Sequence, residues 1–243
     1  MLTKDGQSSS GSNDVEITTA RLEASPAPEN ELSQVASSGK VVVLNGFPGS
    51  GKLTILKEAK ALLPVDRTCL KDNHLLIDPV VAVLPDRSDE HHELRRMVRA
   101  PIFKKLREHA QEGHIILMTA CLAEDNERDR AVFEEHLDIV RGTGIPIFWI
   151  NTQCDQKILE QRIESPERQH GGKTKLTDRK ILRDLLQKHS LIDPSKSADG
   201  STILVSNTLD VSGPVAQSVS RLMSMINFPK CIRSLLYKLC ISE

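Results

Sequence analysis

Val41-Val42-Val43-Leu44 runs, through Asn45, into Gly46-Phe47-Pro48-Gly49-Ser50-Gly51-Lys52-Leu53-Thr54. An unbroken apolar run rich in β-branched residues predicts a strand buried on both faces, as a parallel sheet requires. The glycines predict a tight turn, and residues 52–62 predict a helix that stops before Pro64. Strand, turn and helix in this order aim consecutive backbone N–H groups into one concavity. Such a nest at the positive end of a helix holds anionic oxygens. The spacing G-x-x-x-x-G-K adds a single ammonium, Lys52, to it.

Outward from this unit the chain alternates. Residues 68–71 predict a second strand. Residues 89–111 predict a helix interrupted near Pro101 and ended by Gly113. A third strand is expected over 114–118, a helix over 124–141, and a fourth strand over 145–150 with Pro146 near its start. Asp155 is placed to cap a helix reaching Ile163. Residues 164–177, with Gly171-Gly172, predict a loop; 178–189 a helix; 202–205 the last strand; 211–226 the last helix. This alternation predicts an α/β protein: a three-layer fold with a five-stranded parallel sheet, helices on both faces and a short lid. Ligands of such sheets bind at the carboxyl ends of the strands.

With its strand before it and its helix after it, the segment 46–54 meets the requirements of a P-loop. Leu53 follows the lysine, and the hydroxyl comes one place later, at Thr54. With Pro48-Gly49-Ser50 ahead of it, this loop resembles the adenylate-kinase type. From about residue 40 to 226 the layout resembles small-molecule kinases of the same superfamily: shikimate kinase, gluconokinase and chloramphenicol phosphotransferase. The likeness is specific in the loop and one of spacing elsewhere.

The resemblance implies ATP with Mg²⁺, and transfer of the γ-phosphate to a hydroxyl or phosphate of a small-molecule acceptor. Gly46, Phe47, Pro48, Gly49, Ser50, Gly51, Lys52, Leu53 and Thr54 would hold the nucleotide. Lys52 would reach the β- and γ-phosphates, and Thr54 would face the magnesium. Asp72, in Lys71-Asp72-Asn73-His74, stands where related kinases place the acid that orients the acceptor; the plain alternative is a turn cap. Arg162 and Arg168 stand where a lid brings arginines over the phosphates; the plain alternative is a solvated charged loop. Ser206-Asn207-Thr208 stands where a loop passes the adenine.

Other residues leave alternatives open. Arg95, Arg96 and Arg99, with His91 and His92 nearby, suit either a clamp on an acidic acceptor or a solvated helix face. The two histidines lack the i, i+4 spacing of a metal pair. Thr119-Ala120-Cys121 after the third strand offers no acid for the magnesium shell, which keeps open an ATP-binding regulatory protein without transfer activity. Asn151-Thr152-Gln153-Cys154-Asp155 resembles the guanine-reading element of GTPases, with Gln153 where lysine belongs. No D-x-x-G switch segment follows the third strand, and a helix cap accounts for Asp155.

Composition narrows the classes. A net charge of -1 gives no global pull toward nucleic acid or anionic membranes. Aromatic residues at 3% leave few stacking platforms for bases. Five scattered cysteines, with no C-x-x-C pair, argue against a disulfide framework or a zinc site. No run is apolar for long enough to span a bilayer, and the start carries no signal pattern. The expected organisation is a disordered Ser-rich tail over 1–38, a kinase-like domain over 39–228 and a tail over 229–243. A cytoplasmic monomer is expected, with a small molecule as its partner.

Overall fold

A computed structural model describes residues 39–169, 175–197 and 200–228; the two expected tails lie outside them. Five strands form one parallel sheet: β1 (Lys40–Asn45), β2 (Thr68–Lys71), β3 (Ile115–Ala120), β4 (Pro146–Gln153) and β5 (Ile203–Asp210). Their spatial order is β2-β3-β1-β4-β5, so β1 lies at the centre. Between them run α1 (Lys52–Ala61), α2 (His74–Val81), α3 (Asp89–Gln111), α4 (Glu127–Asp138), α5 (Gln156–Ile163), the single turn α6 (Pro166–Gln169) and α7 (Arg179–Lys188). Helix α8 (Val215–Met225) follows β5.

Alternation along β1 sorts the core into two layers. Val41 and Val43 pack with Met118, Trp149, and Phe103 and Phe133 of α3 and α4. Val42 and Leu44 pack with Leu117, Ile150, and Ile55 and Leu222 of α1 and α8. Burial on both faces is why β1 and β3 read as unbroken apolar runs. Phe133 meets Trp149 edge-on, with ring centres 4.6 Å apart.

The core ends at a polar layer along the carboxyl ends of the strands. Asn45, fully buried, donates from Nδ2 to Leu122 O at 3.2 Å and to Asn151 Oδ1 at 3.1 Å. Its Oδ1 accepts from Leu122 N at 2.8 Å. One amide side chain thus ties the ends of β1, β3 and β4 together immediately below the glycine-rich loop.

Several boundaries differ from expectation. α3 runs through Pro101 without a break. The missing N–H would have served the carbonyl of Met97, a residue on the solvent face where water can replace it. α2 was not expected, since eight residues containing Pro79 give little helical period. α4 begins at Glu127 behind an Asn126 cap, not at Glu124. Glu124 instead accepts from Asp193 N at 3.0 Å and from Lys196 Nζ at 3.0 Å. β4 extends to Gln153 and β5 to Asp210, so Ser206, Asn207 and Thr208 lie inside a strand rather than in a loop. The loop that follows is 211–214. Residues 170–174 of the expected lid lie outside the described residues.

Asn45→Ala removes an acceptor and a donor from a dry site while leaving the Leu122 N–H unserved. We predict a loss of about 2 kcal/mol, the usual cost of orphaning a buried polar group. It will be read as a lower urea midpoint with an unchanged m-value.

Candidate active site

The glycine-rich loop is shaped by its own bonds. Gly46 N donates to Ala120 O at 3.2 Å, and Ser50 Oγ donates to Phe47 O at 2.8 Å. Ile55 N donates to Gly51 O at 3.0 Å, opening α1. Two glycines are demanded by the geometry. A Cβ on Gly46 would stand 1.8 Å from Thr152 Oγ1, and Gly49 has a φ of 89° with Leu159 O 3.0 Å from where its Cβ would be. At these two positions the turn admits only glycine.

Lys52 is turned into this cradle. Its ammonium donates to Gly46 O at 2.5 Å, Phe47 O at 3.0 Å and Ser50 Oγ at 3.1 Å. Burial pulls it below the ordinary lysine range, the nearby Cys121 opposes that, the positive charge of Arg168 adds to it, and Asp72 opposes it. The charges that act on Lys52 thus come from the end of β3, from the α6 turn and from the end of β2.

A cavity of about 340 Å³ opens beside the loop, lined by Gly49, Ser50, Gly51, Thr54, Arg162, Ser165, Arg168, Lys175, Val211, Gly213 and Val215. The structure therefore brings Thr54 of α1, Arg162 of α5 and Arg168 of α6 to one opening. Arg162 is held there by backbone: NH1 donates to Val211 O at 2.9 Å and NH2 to Gly213 O at 3.4 Å. Arg168 donates from Nε to Leu176 O at 2.8 Å. The lining residues Lys175, Val211, Gly213 and Val215 were not singled out in the sequence; the turn-forming run Ser212-Gly213-Pro214 after a strand was the available signal.

Asp72 sits at the other side of the loop, past the end of β2 and 6% exposed. Its Oδ1 accepts from Thr119 Oγ1 at 3.1 Å and from His74 N at 3.3 Å, and Thr119 Oγ1 accepts from Asn73 N at 2.9 Å. The end of β3, which offers no acid, thus offers the hydroxyl that orients one. The Asp72–His74 N contact is also the turn-capping bond, so both readings of Asp72 are present in one geometry.

Beside it Lys71 is 5% exposed, with its ammonium 5.3 Å from the Phe103 ring centre. Burial and the positive charges of Arg99 and Arg95 pull it down to about 7, while Asp72 opposes them. The three arginines of α3 separate. Arg96 pairs with Glu93 on the surface at 2.7 Å, and Arg99 is buried and donates to Glu135 at 2.8 Å. Arg95 has a buried Nε without a hydrogen-bond partner among the described residues. His91 is buried, with Nδ1 2.6 Å from Leu84 O, so it serves packing.

The segment resembling a guanine reader is committed to structure. Asn151 receives Asn45 and Trp149 and donates to Ile192 O at 2.8 Å, and Asp155 Oδ1 accepts from Lys157 N at 2.8 Å as the α5 cap. Among the described residues no group of His, Cys, Asp or Glu could hold a metal ion by itself. The donor set, one exposed threonine hydroxyl beside an amide nest, suits magnesium, which keeps its waters and arrives with phosphates. No described helix is long and apolar enough to cross a membrane.

Two outcomes follow. Gly46→Ala will lower the thermal midpoint and abolish phosphate-group binding, and adding Thr152→Ala will restore part of both, because the clash is with that hydroxyl. The second concerns Lys71. Its folded-state value lies below its unfolded one, so the unfolded chain holds more protons between about pH 7 and 10.5, and the penalty for burying the ammonium is greatest below pH 7. Lys71→Met will therefore raise the thermal midpoint relative to wild type most at pH 6, and the difference will shrink by pH 10.

Comparison with known proteins bears on the fold. No curated protein matches the sequence. Solved structures share the fold at low identity. Thymidylate kinase from Candida albicans is 14% identical, with 80% of this chain and 94% of that one covered at a TM-score of 0.52. A candidate kinase from Chloroflexus aurantiacus is 16% identical, with 77% and 98% covered at 0.52. A family described as an AAA domain matches residues 42–183, more than half of the sequence and the whole stretch from β1 into α7. The chain therefore belongs to that AAA-domain family, and its fold is that of the P-loop small-molecule kinases.

Proposed function

We propose that this protein is a phosphotransferase that moves the γ-phosphate of ATP to a hydroxyl or phosphate of a small-molecule acceptor. The observation that carries the reading is the position of Lys52. Its ammonium is folded onto the glycine-rich loop, on Gly46 O, Phe47 O and Ser50 Oγ, with the cavity of Thr54, Arg162 and Arg168 on one side and the buried, oriented carboxylate of Asp72 on the other. Phosphoryl transfer asks mainly for positioning and charge neutralisation, and this arrangement supplies both.

In this reading the amides of 46–54 hold the β-phosphate region. Lys52 exchanges its carbonyl partners for phosphate oxygens, where a charge-assisted bond in a dry cradle is stronger. Arg162 and Arg168 present planar guanidinium groups toward the same cavity and stay charged throughout. Thr54 would help to hold magnesium, which when bound would neutralise charge on the nucleotide. Asp72, oriented by Thr119, aligns the acceptor hydroxyl and takes its proton as the new O–P bond forms and ADP leaves with the old bonding pair.

A second reading has one observation in its favour. Cys121 stands beside Lys52, at the end of β3 where an acid would complete a magnesium shell. An ATP-binding regulatory protein without transfer activity fits that substitution. ATP turnover measured with and without a pool of metabolites separates the two.

Lys52→Ala will lower turnover about 10²–10³-fold, the scale of losing one transition-state donor, and will weaken nucleotide binding. Asp72→Asn will lower turnover on a similar scale with nucleotide affinity unchanged. Nucleotide affinity and turnover both untouched in Lys52→Ala would sink the proposal, and nucleotide binding that never yields a phosphorylated product would leave the regulatory reading in its place.

A further inference from the structure

Helix α5 meets three parts of the molecule through neighbouring positions. The Leu159 carbonyl stands 3.0 Å from where a Cβ on Gly49 would be, so the helix backs onto the glycine-rich loop. Arg162 lines the cavity and is held by Val211 O and Gly213 O. Between them Glu160, 6% exposed, is directed to α7. Its Oε1 accepts from Arg183 Nε at 2.7 Å and from Gln156 Nε2 at 2.9 Å, and its Oε2 accepts from Arg183 NH2 at 2.8 Å. Arg179 Nε lies 3.6 Å from the same Oε2. Arg183 first and Gln156 second hold the Glu160 carboxyl down at about 2, so it is an anion at neutral pH.

What this cluster fixes is α7. The apolar contact between the two helices is small: Leu159, Ile163 and Leu182 are its buried members, with Cys154, Leu176 and Leu186 half-buried against them. Such contacts are non-directional and leave a helix free to slide or turn by a small step. A two-pronged guanidinium–carboxylate pair demands one geometry and removes that freedom. The position of α7 then sets the backbone just ahead of it. Asp178 caps the helix, accepting from Lys180 N at 2.7 Å. Two residues earlier, Leu176 packs on the apolar cluster while its carbonyl accepts from Arg168 Nε at 2.8 Å. Arg168 lines the cavity, and Glu160 does not.

We propose that Glu160 is a positioning residue: by pinning α7 to α5 it sets where the Leu176 carbonyl, and with it the Arg168 guanidinium, stands at the cavity. Glu160 touches no substrate. Its part is to hold Arg168 ready before a nucleotide arrives, so that less side-chain freedom is lost on binding. This rests on the phosphotransferase reading for what Arg168 meets; the contacts of Glu160 do not depend on it.

The test is a double-mutant cycle on the affinity of the full chain for a non-hydrolysable ATP analogue with Mg²⁺, measured by calorimetry. Arg168→Ala is expected to weaken binding about ten-fold, the scale of one charge-assisted bond. Glu160→Gln keeps the shape and removes the charge. It is expected to weaken binding about five-fold in the wild-type background and less than about two-fold in Arg168→Ala, because residues that act as one unit are not additive. Arg183→Gln changes the exposed partner of the same contact, where substitution rarely unfolds a protein, and is expected to give the same pattern. A merely structural Glu160 would lower the thermal midpoint and leave analogue affinity alone in both backgrounds. Wild-type affinity in Glu160→Gln, or in Arg183→Gln where Glu160→Gln does not fold, would overturn the inference. Losses that add in full to that of Arg168→Ala would overturn it too, as would an Arg168→Ala protein that binds as wild type does. In each of these results wild type still binds the analogue, so the inference falls alone. A wild type that binds no analogue overturns it together with the phosphotransferase reading.

Discussion

An ammonium enclosed by its own loop is the interaction on which the rest of this structure depends. Lys52 spends its donors on Gly46 O, Phe47 O and Ser50 Oγ. Those carbonyls satisfy the charge but do not neutralise it, and burial leaves it costly. The loop can bear this because its backbone is tightly held: Gly46 to β3, Gly49 against α5, and Gly51 at the head of α1. A cation held in this way gains by exchanging neutral oxygens for anionic ones.

The sheet converts that local fact into a site with two sides. Because β1 is central, the loop that leaves it is flanked by the ends of β3 and β4, and the polar layer of Asn45, Asn151 and Thr152 fixes their relative height. One flank carries Thr54, Arg162 and Arg168 around an open cavity. The other carries Asp72, Lys71 and Arg95 in drier surroundings. The side with arginines braced on backbone carbonyls suits a nucleotide. On the other side a carboxylate is held by a threonine hydroxyl.

Much of the fold was legible because its signals were strong and local. The β-branched run at 41–44, the glycines of 46–51 and the helix after Lys52 describe one supersecondary unit, and each part agreed with the others. Pro101 misled because a helix tolerates a proline where the orphaned carbonyl meets water, and nothing in the sequence says which face does. The extension of β4 and β5 past their apolar runs was hidden, because Asn151 and Ser206 are paired by register with neighbours and not by burial. That slip placed Ser206-Asn207-Thr208 in a loop they do not form.

The site was partly legible in the same sense. Asp72 stood out by its place after a strand, but the hydroxyl that orients it lies far along the chain, in a segment remarkable to sequence reading only for lacking an acid. Lys71 gave no signal, since a lysine at a strand end is ordinarily solvated, and only the packing of Phe103 over it makes it unusual. The three arginines of α3 look alike in sequence, and their separation into a surface pair, a buried pair and a half-buried side chain depends on where Glu93 and Glu135 fall in space.

A crystal structure of the full chain with a non-hydrolysable ATP analogue and Mg²⁺ tests the central claim most directly. The account predicts phosphate density within the amides of 46–54, with the Lys52 ammonium moved off Gly46 O and Phe47 O onto the β- and γ-phosphate oxygens. Nucleotide bound elsewhere, or phosphates in the loop with Lys52 still on its own carbonyls, would contradict it.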